Sequence, residues 1–411
     1  MKKNILSIPV SYICFLVLTL GLTACEKEVI PPNNNTEEPD SPSDPPKQEE
    51  EKYEPEVSTD DYEIVYDTQD GKKAIGYRVF TAEGMLKWLY ATSVEDPNTP
   101  ETDGPNKNLG LELMKDINMP DQTIVEDTKK RSFRFAAPVS YDKYGYPTNS
   151  NWKMQWNFSG TIEGNGYNIS GFRMFNNGGG GGLVASLDSA GVVRNLTICD
   201  AKVRAIWGVG FIAGTSNGLI ENCHVREDCK LAIVTNNEYE GGIVGKNYGT
   251  IIGCTNAYHY LHGKINHYKG GIAGLNDGTI IGCINYGTIK GHYRIGGITG
   301  NNTGSVIACG NTAEVSGVAY AGGIVGFNEA STDVVGSWTA YIYNNGQPYN
   351  EQTGFGRNDN SNHCEAIFVG NSMDINEKIS EMNAALKVYN WEWVIAENPE
   401  VDYPTLRQIK E

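Results

Sequence analysis

The sequence predicts an all-β protein whose body is a right-handed parallel β-helix, with helical caps at both ends. Glycine is abundant, at 48 of 411 residues, while charged residues make up only 20%, a composition that favours a turn-rich β repeat protein. Six related segments also recur at short and nearly constant spacing. Matching positions in these segments carry the same kind of side chain, which indicates stacked coils.

The six segments occupy residues 181–345. Their first glycines lie 29, 31, 29, 26 and 26 residues apart. Each segment holds two short apolar stretches around a turn such as Asn-Tyr-Gly, and none can bury a core alone. Stacking produces one continuous core, whereas a β-propeller blade requires four strands in roughly 40 residues. The segments begin at Gly181, Gly210, Gly241, Gly270, Gly296 and Gly322.

Equivalent positions of stacked parallel coils lie about 4.8 Å apart, so like side chains should form columns. We expect the isoleucines inside, the asparagines hydrogen-bonded along the turns, and the cysteines as small buried thiols rather than metal ligands. Parallel neighbours point their Cβ atoms the same way, which disfavours disulfides within the column. The columns are Ile243, Ile272, Ile298 and Ile324; Cys223, Cys254, Cys283 and Cys309; and Asn247, Asn276, Asn302 and Asn328.

Residues 1–24 have the pattern of a secretory signal, with Lys2 and Lys3 before an apolar run. The sequence Leu-Thr-Ala-Cys at residues 22–25 resembles the lipobox of bacterial lipoproteins. The resemblance implies cleavage between Ala24 and Cys25, lipid attachment at Cys25 and anchoring in the outer membrane. An uncleaved membrane-spanning helix is the alternative interpretation of the run.

Residues 25–60 read as a disordered, Pro-rich, acidic tether. Between Glu26 and Asp70 there are 16 acidic residues and 3 lysines, a net charge of −13 out of −17 for the whole chain. The acidity therefore belongs to a solvating segment, and nothing indicates a nucleic-acid partner. Glu26-Lys27-Glu28 resembles the export signal of Bacteroidetes surface lipoproteins, which implies a cell-surface location; a periplasm-facing location is the alternative.

Two further regions flank the repeats. Residues 61–180 should form an N-terminal cap and the first coils, with a helix from Thr81 to Tyr90, a strand in residues 109–119, and two strands around the Asn165-Gly166 turn. Residues 346–411 should form a C-terminal loop and cap. In that region Asp374 begins a predicted helix, a strand is predicted near Trp391, and the cap is expected to cover the open end of the solenoid.

The segment GGIVGKNYGTIIGC, at residues 241–254, is similar to the GLUG repeat of bacterial surface proteins, which include some immunoglobulin A peptidases. The resemblance covers about residues 75–340. It implies the solenoid architecture and a Bacteroidetes-like surface lipoprotein. The peptidases use an H-E-x-x-H zinc site, and this sequence contains no such run, so peptidase activity does not carry over.

Enzymatic activity is the less favoured interpretation, and no cofactor or metal is expected. Glycosidases use two carboxylates at a defined separation, but Asp277 and Glu314 occupy different positions of their repeats. An acidic group that includes Glu240 is interpreted as a solvated loop face, and histidines near residues 259–267 as a polar loop. Some disulfide pairing among Cys199, Cys229 and Cys364 is left open.

A mostly aromatic column precedes the glycine pairs and is the candidate ligand surface. Aromatic faces can stack on sugar rings or dock a host protein, although a tyrosine column can also simply shield the core. We therefore expect a non-catalytic recognition or adhesion module for a glycan or host protein. The alternatives are a polysaccharide lyase or hydrolase, and a structural component of a surface assembly. The candidate residues are Tyr239, Tyr268, Arg294, Tyr320, Tyr248, Tyr286 and Tyr293.

Overall fold

The computed structural model of the chain describes a long region from residue 60 onward, with gaps. Everything below concerns that part. The described residues are 60–69, 71, 73–93, 106–127, 132–153, 155–233, 239–260, 268–329, 333–339, 343–344, 347–348, 354–358, 364–368, 380, 382–384, 386–394 and 405–409. The predicted signal segment, Cys25, the tether up to residue 59 and Asp374 lie outside them.

The fold is the predicted parallel β-solenoid, of about six turns. Its broadest wall is a sheet of sixteen described strands in which the repeat strands pair in parallel, rung upon rung. The strands of this sheet are Tyr62–Tyr66, Ala74–Val79, Gly110–Leu113, Ile117–Asn118, Thr161–Glu163, Asn168–Ser170, Val192–Cys199, Leu219–Val225, Thr250–Ile252, Thr255–Asn256, Thr279–Ile281, Ile284–Asn285, Ser305–Ile307, Gly310–Asn311, Val334–Thr339 and Cys364–Phe368.

Two other parallel sheets carry the double-glycine part of each repeat. The seven-strand sheet comprises Val184–Leu187, Ala213–Ser216, Val244–Asn247, Ala273–Asn276, Thr299–Asn302, Val325–Asn328 and Phe355–Asn358. A four-strand sheet, here called the tyrosine sheet, comprises Tyr239–Gly241, Tyr268–Gly270, Tyr293–Gly296 and Ala319–Gly322.

The remaining described elements complete the coils or decorate them. A small parallel sheet contains Arg173–Phe175, Lys202–Ala205 and Lys230–Ile233, and another group contains Ile289–Lys290, Val315–Gly317, Tyr343–Asn344 and Gln347–Pro348. Two antiparallel hairpins are formed by Gln122–Asp127 with Ser132–Pro138 and by Trp391–Val394 with Thr405–Gln408.

The isoleucine columns lie inside the coil, as their repetition predicts. Ile243, Ile272, Ile298 and Ile324 are fully buried, and each backbone N–H of the first three donates to the carbonyl of the next at 2.9–3.0 Å. On the opposite wall Ile251 pairs in register with Ile280. Full burial of an aliphatic side chain contributes about 1.5–3 kcal/mol, so each residue of these columns stabilises the solenoid.

Asparagine side chains form a continuous buried ladder. The Nδ2 atoms of Asn247, Asn276 and Asn302 donate to the Oδ1 of the next asparagine at 2.8, 2.8 and 2.7 Å. A second ladder runs from Asn256 to Asn285 at 2.9 Å and from Asn285 to Asn311 at 2.8 Å. The sequence analysis missed this second ladder, although an asparagine stands two residues after three of the column cysteines.

The cysteine column lies beside the second ladder. Cys223, Cys254, Cys283 and Cys309 are fully buried and are free thiols. The backbone N–H of Cys223 donates to the Sγ of Cys254 at 3.4 Å, which shows a thiol serving as a weak acceptor between rungs. Cys199 and Cys229 are also free thiols, and the Cys364 side chain lies outside the description.

The glycine pattern is explained by close approach between chain segments. A Cβ at Gly274 would lie 2.6 Å from the backbone nitrogen of Glu240 in the tyrosine sheet. A Cβ at the second glycine of a pair, Gly271, would lie 2.4 Å from the Cγ of Asn285 in the second ladder. Both distances are sterically forbidden, so the repeat requires glycine at these positions to fit its own ladder and neighbouring sheet.

The N-terminal helix spans Ala82–Ser93, three residues beyond its predicted end. Thr81 caps it, since its Oγ1 accepts a hydrogen bond from Gly84 N–H at 3.2 Å. The Trp88 indole packs edge-on against Phe158, with ring centroids 5.8 Å apart. This helix therefore packs over the first coils, where the sequence predicts an N-terminal cap.

The C-terminal segment packs on a flank of the solenoid, whereas the sequence analysis expected it to cover the open end. Trp391 and Trp393 form a buried cluster with outward side chains of the sixteen-strand sheet, among them Ile252 and Ile281. The Trp393 Nε1–H donates to the Ala308 carbonyl at 2.9 Å. Its described helical residues are 380, 382–384 and 386, followed by the 3-10 turn Lys387–Tyr389. Among the described residues, no helix is long and apolar enough to cross a membrane.

Candidate ligand-binding surface

The tyrosine sheet presents a strip of aromatic and cationic side chains on one flank. Tyr239 pairs in register with Tyr268. In the next strand Ile295 pairs with Lys269, which places Arg294 beside Tyr268. In the last strand Ala321 pairs with Ile295, which places Tyr320 beside Arg294. Stacked coils thus bring residues about 80 positions apart in sequence onto one continuous surface. We call this surface the tyrosine strip: Tyr239, Tyr268, Tyr293, Arg294 and Tyr320.

The rings of the strip contact one another along the solenoid. The Tyr239 and Tyr268 rings are stacked with centroids 4.8 Å apart, close to the rung spacing. Tyr268 and Tyr293 are tilted at 6.2 Å, and Tyr293 meets Tyr320 edge to face at 5.0 Å. Each of the four rings is half-buried. The outward parts of the strip therefore combine ring edges, ring faces and phenolic groups.

Three cations lie over the rings. The Lys246 ammonium is 4.9 Å from the Tyr239 centroid, and the Arg294 guanidinium is 5.1 Å from that of Tyr268. Arg357 lies 5.7 Å from the Tyr320 ring. Such cation–π contacts contribute about 0.5–1 kcal/mol each when exposed, and they hold the charges in fixed positions over an aromatic base.

The backbone turns abruptly at the last two positions of the strip. Arg294 and Tyr320 adopt left-handed conformations with φ of 53° and 54°, which is costly for residues with a Cβ. Arg294 also hydrogen-bonds Asn301 through its guanidinium. The pKa of the Tyr320 hydroxyl is lowered, chiefly by its hydrogen bond with Arg357 and next by one with Tyr293.

A neighbouring column of the seven-strand sheet completes the strip. Lys246, Leu275, Asn301, Phe327 and Arg357 are in register, and Arg294 lies 4.1 Å from the Phe327 centroid. Sequence reasoning missed this column because its members differ in type. The signal was the constant place of the first four, one residue after the last glycine of GGxxG, whereas Arg357 follows the shorter sequence Gly354-Phe355-Gly356.

Tyr248 and Tyr286 lie apart from the strip. Tyr248 N–H donates to the Ser216 carbonyl and Tyr286 N–H donates to the Asn256 carbonyl. The two residues therefore lie at different turns of the coil. They are 44% and 41% exposed. Of the seven candidate ligand residues, the structure therefore brings together five and leaves these two on separate columns.

Glu240 is buried, which corrects its assignment to a solvated loop face. It is 5% exposed and its Oε2 lies 2.7 Å from the Nζ of Lys269, which is 2% exposed. The two residues are register partners in the tyrosine sheet, and their side chains alternate with the outward tyrosines. The ion pair thus lies inside the coil, directly behind the strip, with Lys269 also over the Tyr260 ring at 5.4 Å.

The other candidate chemical groups are dispersed. Asp277 accepts a hydrogen bond from Thr303 at a turn, whereas Glu314 lies 3.5 Å from Lys290 in another part of the coil. His259 accepts a backbone hydrogen bond from Thr288 at 3.0 Å. Across the described ranges, no group of three or more His, Cys, Asp or Glu side chains is placed to hold a metal ion.

Comparisons with known proteins give limited similarity. No family model matches the chain. It is 37% identical over 89 residues to Halomucin of Haloquadratum walsbyi, a match that covers 21% of this chain and 1% of that very long protein. Among solved structures, a "putative immunoglobulin A1 protease" from Bacteroides ovatus aligns with 81% of this chain and 92% of its own, at 14% identity and a TM-score of 0.37.

Proposed function

We propose that the chain is a cell-surface lipoprotein of the GLUG-repeat type that binds a glycan, without catalysis, along the tyrosine strip. The observation that carries this proposal is the register of the tyrosine sheet, which aligns Tyr239, Tyr268, Arg294 and Tyr320 on one flank. The Tyr293 ring and the Lys246 and Arg357 cations contact the rings of this column. The lipobox-like residues at 22–25 and the acidic segment after them support attachment through Cys25 in the outer membrane.

An extended glycan fits this surface better than a compact ligand. The strip repeats with the rung spacing, so a polymer lying along the solenoid meets a similar ring at each step. Sugar rings offer apolar faces to aromatics and hydroxyls to polar groups, and the strip supplies both kinds of partner. Each contact is weak, and several in a row give useful affinity.

Alanine substitution of Tyr239, Tyr268 and Tyr320 tests the proposal. We expect the full chain to bind members of a glycan array, and the triple variant to lose at least tenfold in affinity, since each aromatic contact contributes about 0.5–1.5 kcal/mol. Tyr248→Ala with Tyr286→Ala is the matched control, because these exposed tyrosines lie outside the strip. Equal loss in both variants, or no glycan bound at all, would reject the proposal.

The anchor is tested separately. We expect Cys25→Ser to abolish incorporation of a labelled fatty acid, and protease treatment of intact cells to remove the wild-type protein. A protein that keeps its label after Cys25→Ser, or that survives protease treatment while a known surface protein is cleaved, would contradict the proposed attachment or location.

A further inference from the structure

Three cations lie on or beside the tyrosine strip. Of the formal charge of −17, −13 belongs to residues 26–70, and in the body of the protein Lys246, Arg294 and Arg357 share one flank over the tyrosine rings. Among the described ion pairs, Lys246 and Arg294 contact no carboxylate, and the guanidinium of Arg294 bonds instead to the amide of Asn301. Within the described part of the protein these two cations therefore have no direct carboxylate partner, and the carboxylate of Glu329 reaches this network by accepting a hydrogen bond from Asn301 at 3.2 Å.

The Arg294 guanidinium is held by the Asn301 amide and by the rings of Tyr268 and Phe327, and its hydrogen-bonding capacity is not fully used. Its Nε is buried and has no hydrogen-bond partner in the described part of the chain. The left-handed backbone at this position, with φ of 53°, sets its direction. A guanidinium matches the two oxygens of a carboxylate better than a single hydroxyl.

Two exposed tryptophans continue the strip toward the N-terminal coils. Val209 bridges to Glu240, so Gly208 occupies the place of Tyr239 one rung earlier and Trp207 directly precedes it. Trp207 is 56% exposed and Trp156 is 46% exposed. A Cβ at Gly179 would lie 2.3 Å from the Trp156 ring, which means that the ring rests on bare glycine backbone.

The exposed rings of Trp156 and Trp207 form a platform on which a ligand ring could stack. Gly180 and Gly208 lack side chains where later rungs carry tyrosines, and the Lys246 stem passes over Gly208, with its Cγ 3.5 Å from the place of a Cβ there. An aromatic ring supported on one side by backbone leaves its other side for a ligand ring. Lys246 then stands between this platform and Tyr239.

We infer that the ligand is an anionic polysaccharide bearing carboxylates, which lies from the Trp156–Trp207 platform to Tyr320 with its carboxylates on Lys246 and Arg294. This inference rests on the proposed function and adds the chemical class of the glycan. Charge complementarity distinguishes this ligand from a neutral glycan, because a neutral chain would leave both cations desolvated without compensation.

Binding of a polyuronate by the full chain, compared with the same polymer after reduction of its carboxyl groups to alcohols, tests the charge directly. We expect the native polymer to bind at least tenfold more tightly, as one charge-assisted contact contributes about 1.5–3 kcal/mol, and its affinity to fall as NaCl is raised. Equal binding of both polymers would overturn the anionic class and leave the glycan proposal standing. Binding of neither polymer, with neutral glycans bound through the strip, would also overturn it.

Lys246→Gln and Arg294→Gln should each weaken polyuronate binding roughly tenfold and weaken binding of the reduced polymer by a smaller factor, so that the preference for the native polymer falls. Lys230→Gln is the charge-matched control, since Lys230 is exposed in the sheet with Lys202–Ala205. Preference for a sulfated polymer over the polyuronate would reject the carboxylate assignment. Equal loss of binding to both polymer forms would show damage to the surface and count against the role given to these cations.

Trp156→Ala and Trp207→Ala test the platform. We expect each variant to lose affinity for long oligomers by roughly threefold to tenfold, with little effect on the shortest oligomers that still bind the tyrosines. Tyr144→Ala, at a residue 69% exposed, is the control. An equal effect of the tryptophan variants at every oligomer length, or none at any, would remove the platform from the site.

Discussion

At the residue scale, the buried asparagines show how a polar side chain can stabilise an apolar core. Each central amide donates to the next rung and accepts from the previous one, and its Nδ2 also contacts a turn carbonyl, as Asn302 does with Gly304 at 2.9 Å. Buried amides left without partners cost about 1–3 kcal/mol. The ladder therefore penalises any slip of one coil against the next.

Asn276→Ala removes the middle of the first ladder. It leaves the amides of Asn247 and Asn302 without their partner on one side, so we expect a loss of about 2–4 kcal/mol in the free energy of unfolding. Guanidinium unfolding followed by circular dichroism measures it. Asn177→Ala, at an exposed asparagine, should change stability by less than about 0.5 kcal/mol; equal effects would show that the ladder is not stabilising.

The buried pair of Glu240 and Lys269 gives a second test at this scale. Glu240→Leu leaves the Lys269 charge inside the coil without its carboxylate, at a cost of about 3–5 kcal/mol. Replacing both residues with Leu and Met should recover most of this loss, because the two desolvation costs disappear together. A double variant as unstable as the single one, in the same unfolding experiment, would contradict this account of the pair.

At the element scale, the cysteine column behaves as part of the core. Burial raises the pKa of the Cys223 and Cys283 thiols, so the thiolate required for alkylation is scarce in the folded state. We expect these cysteines to resist iodoacetamide at pH 8 and to react after denaturation, as mass spectrometry of peptides would show. The unfolded chain ionises the thiols of Cys223 and Cys283 more readily than the folded chain does, so these two residues should make stability fall as pH rises past the ordinary thiol pKa of about 8.5. Rapid labelling of the native column would refute its burial.

The C-terminal hairpin is held by its tryptophans. Trp393→Phe keeps an aromatic ring and removes the hydrogen bond to the Ala308 carbonyl, so we expect a loss of about 1–3 kcal/mol and faster proteolysis near residue 391. Val388→Ala, at a residue 81% exposed, serves as the comparison. If both variants are cleaved at the wild-type rate, the indole does not fasten the hairpin.

Local chemistry explains which elements could be predicted from the sequence. Repetition identifies Ile272 and Asn276 as column members without any structure, because their repeats agree residue by residue. Trp391 can pack on the flank because Gly253 has no side chain; a Cβ there would lie 2.6 Å from the indole. The burial of Glu240 depends on a register partner 29 residues away. Neither contact produces a recognisable pattern in the sequence around these residues.

At the scale of the whole molecule, stacking converts a sequence repeat into a surface. Tyr239 and Tyr320 are three repeats apart in the sequence and still belong to one strip. Five of the seven predicted ligand residues come together in the structure because the fold stacks their repeats. The column from Lys246 to Arg357 follows only from the three-dimensional register, because its members differ in residue type. The Trp156–Trp207 platform also follows only from the fold, because its two residues lie outside the repeat pattern.

A crystal structure of the full chain is the most direct test of this register. We expect the Cα atoms of four asparagines to lie in a row spaced by about 4.8 Å, with Tyr239 and Tyr268 stacked on a single flank. These asparagines are Asn247, Asn276, Asn302 and Asn328. A row broken by a shifted coil, or tyrosines distributed over different faces, would contradict both the solenoid register and the binding surface built on it.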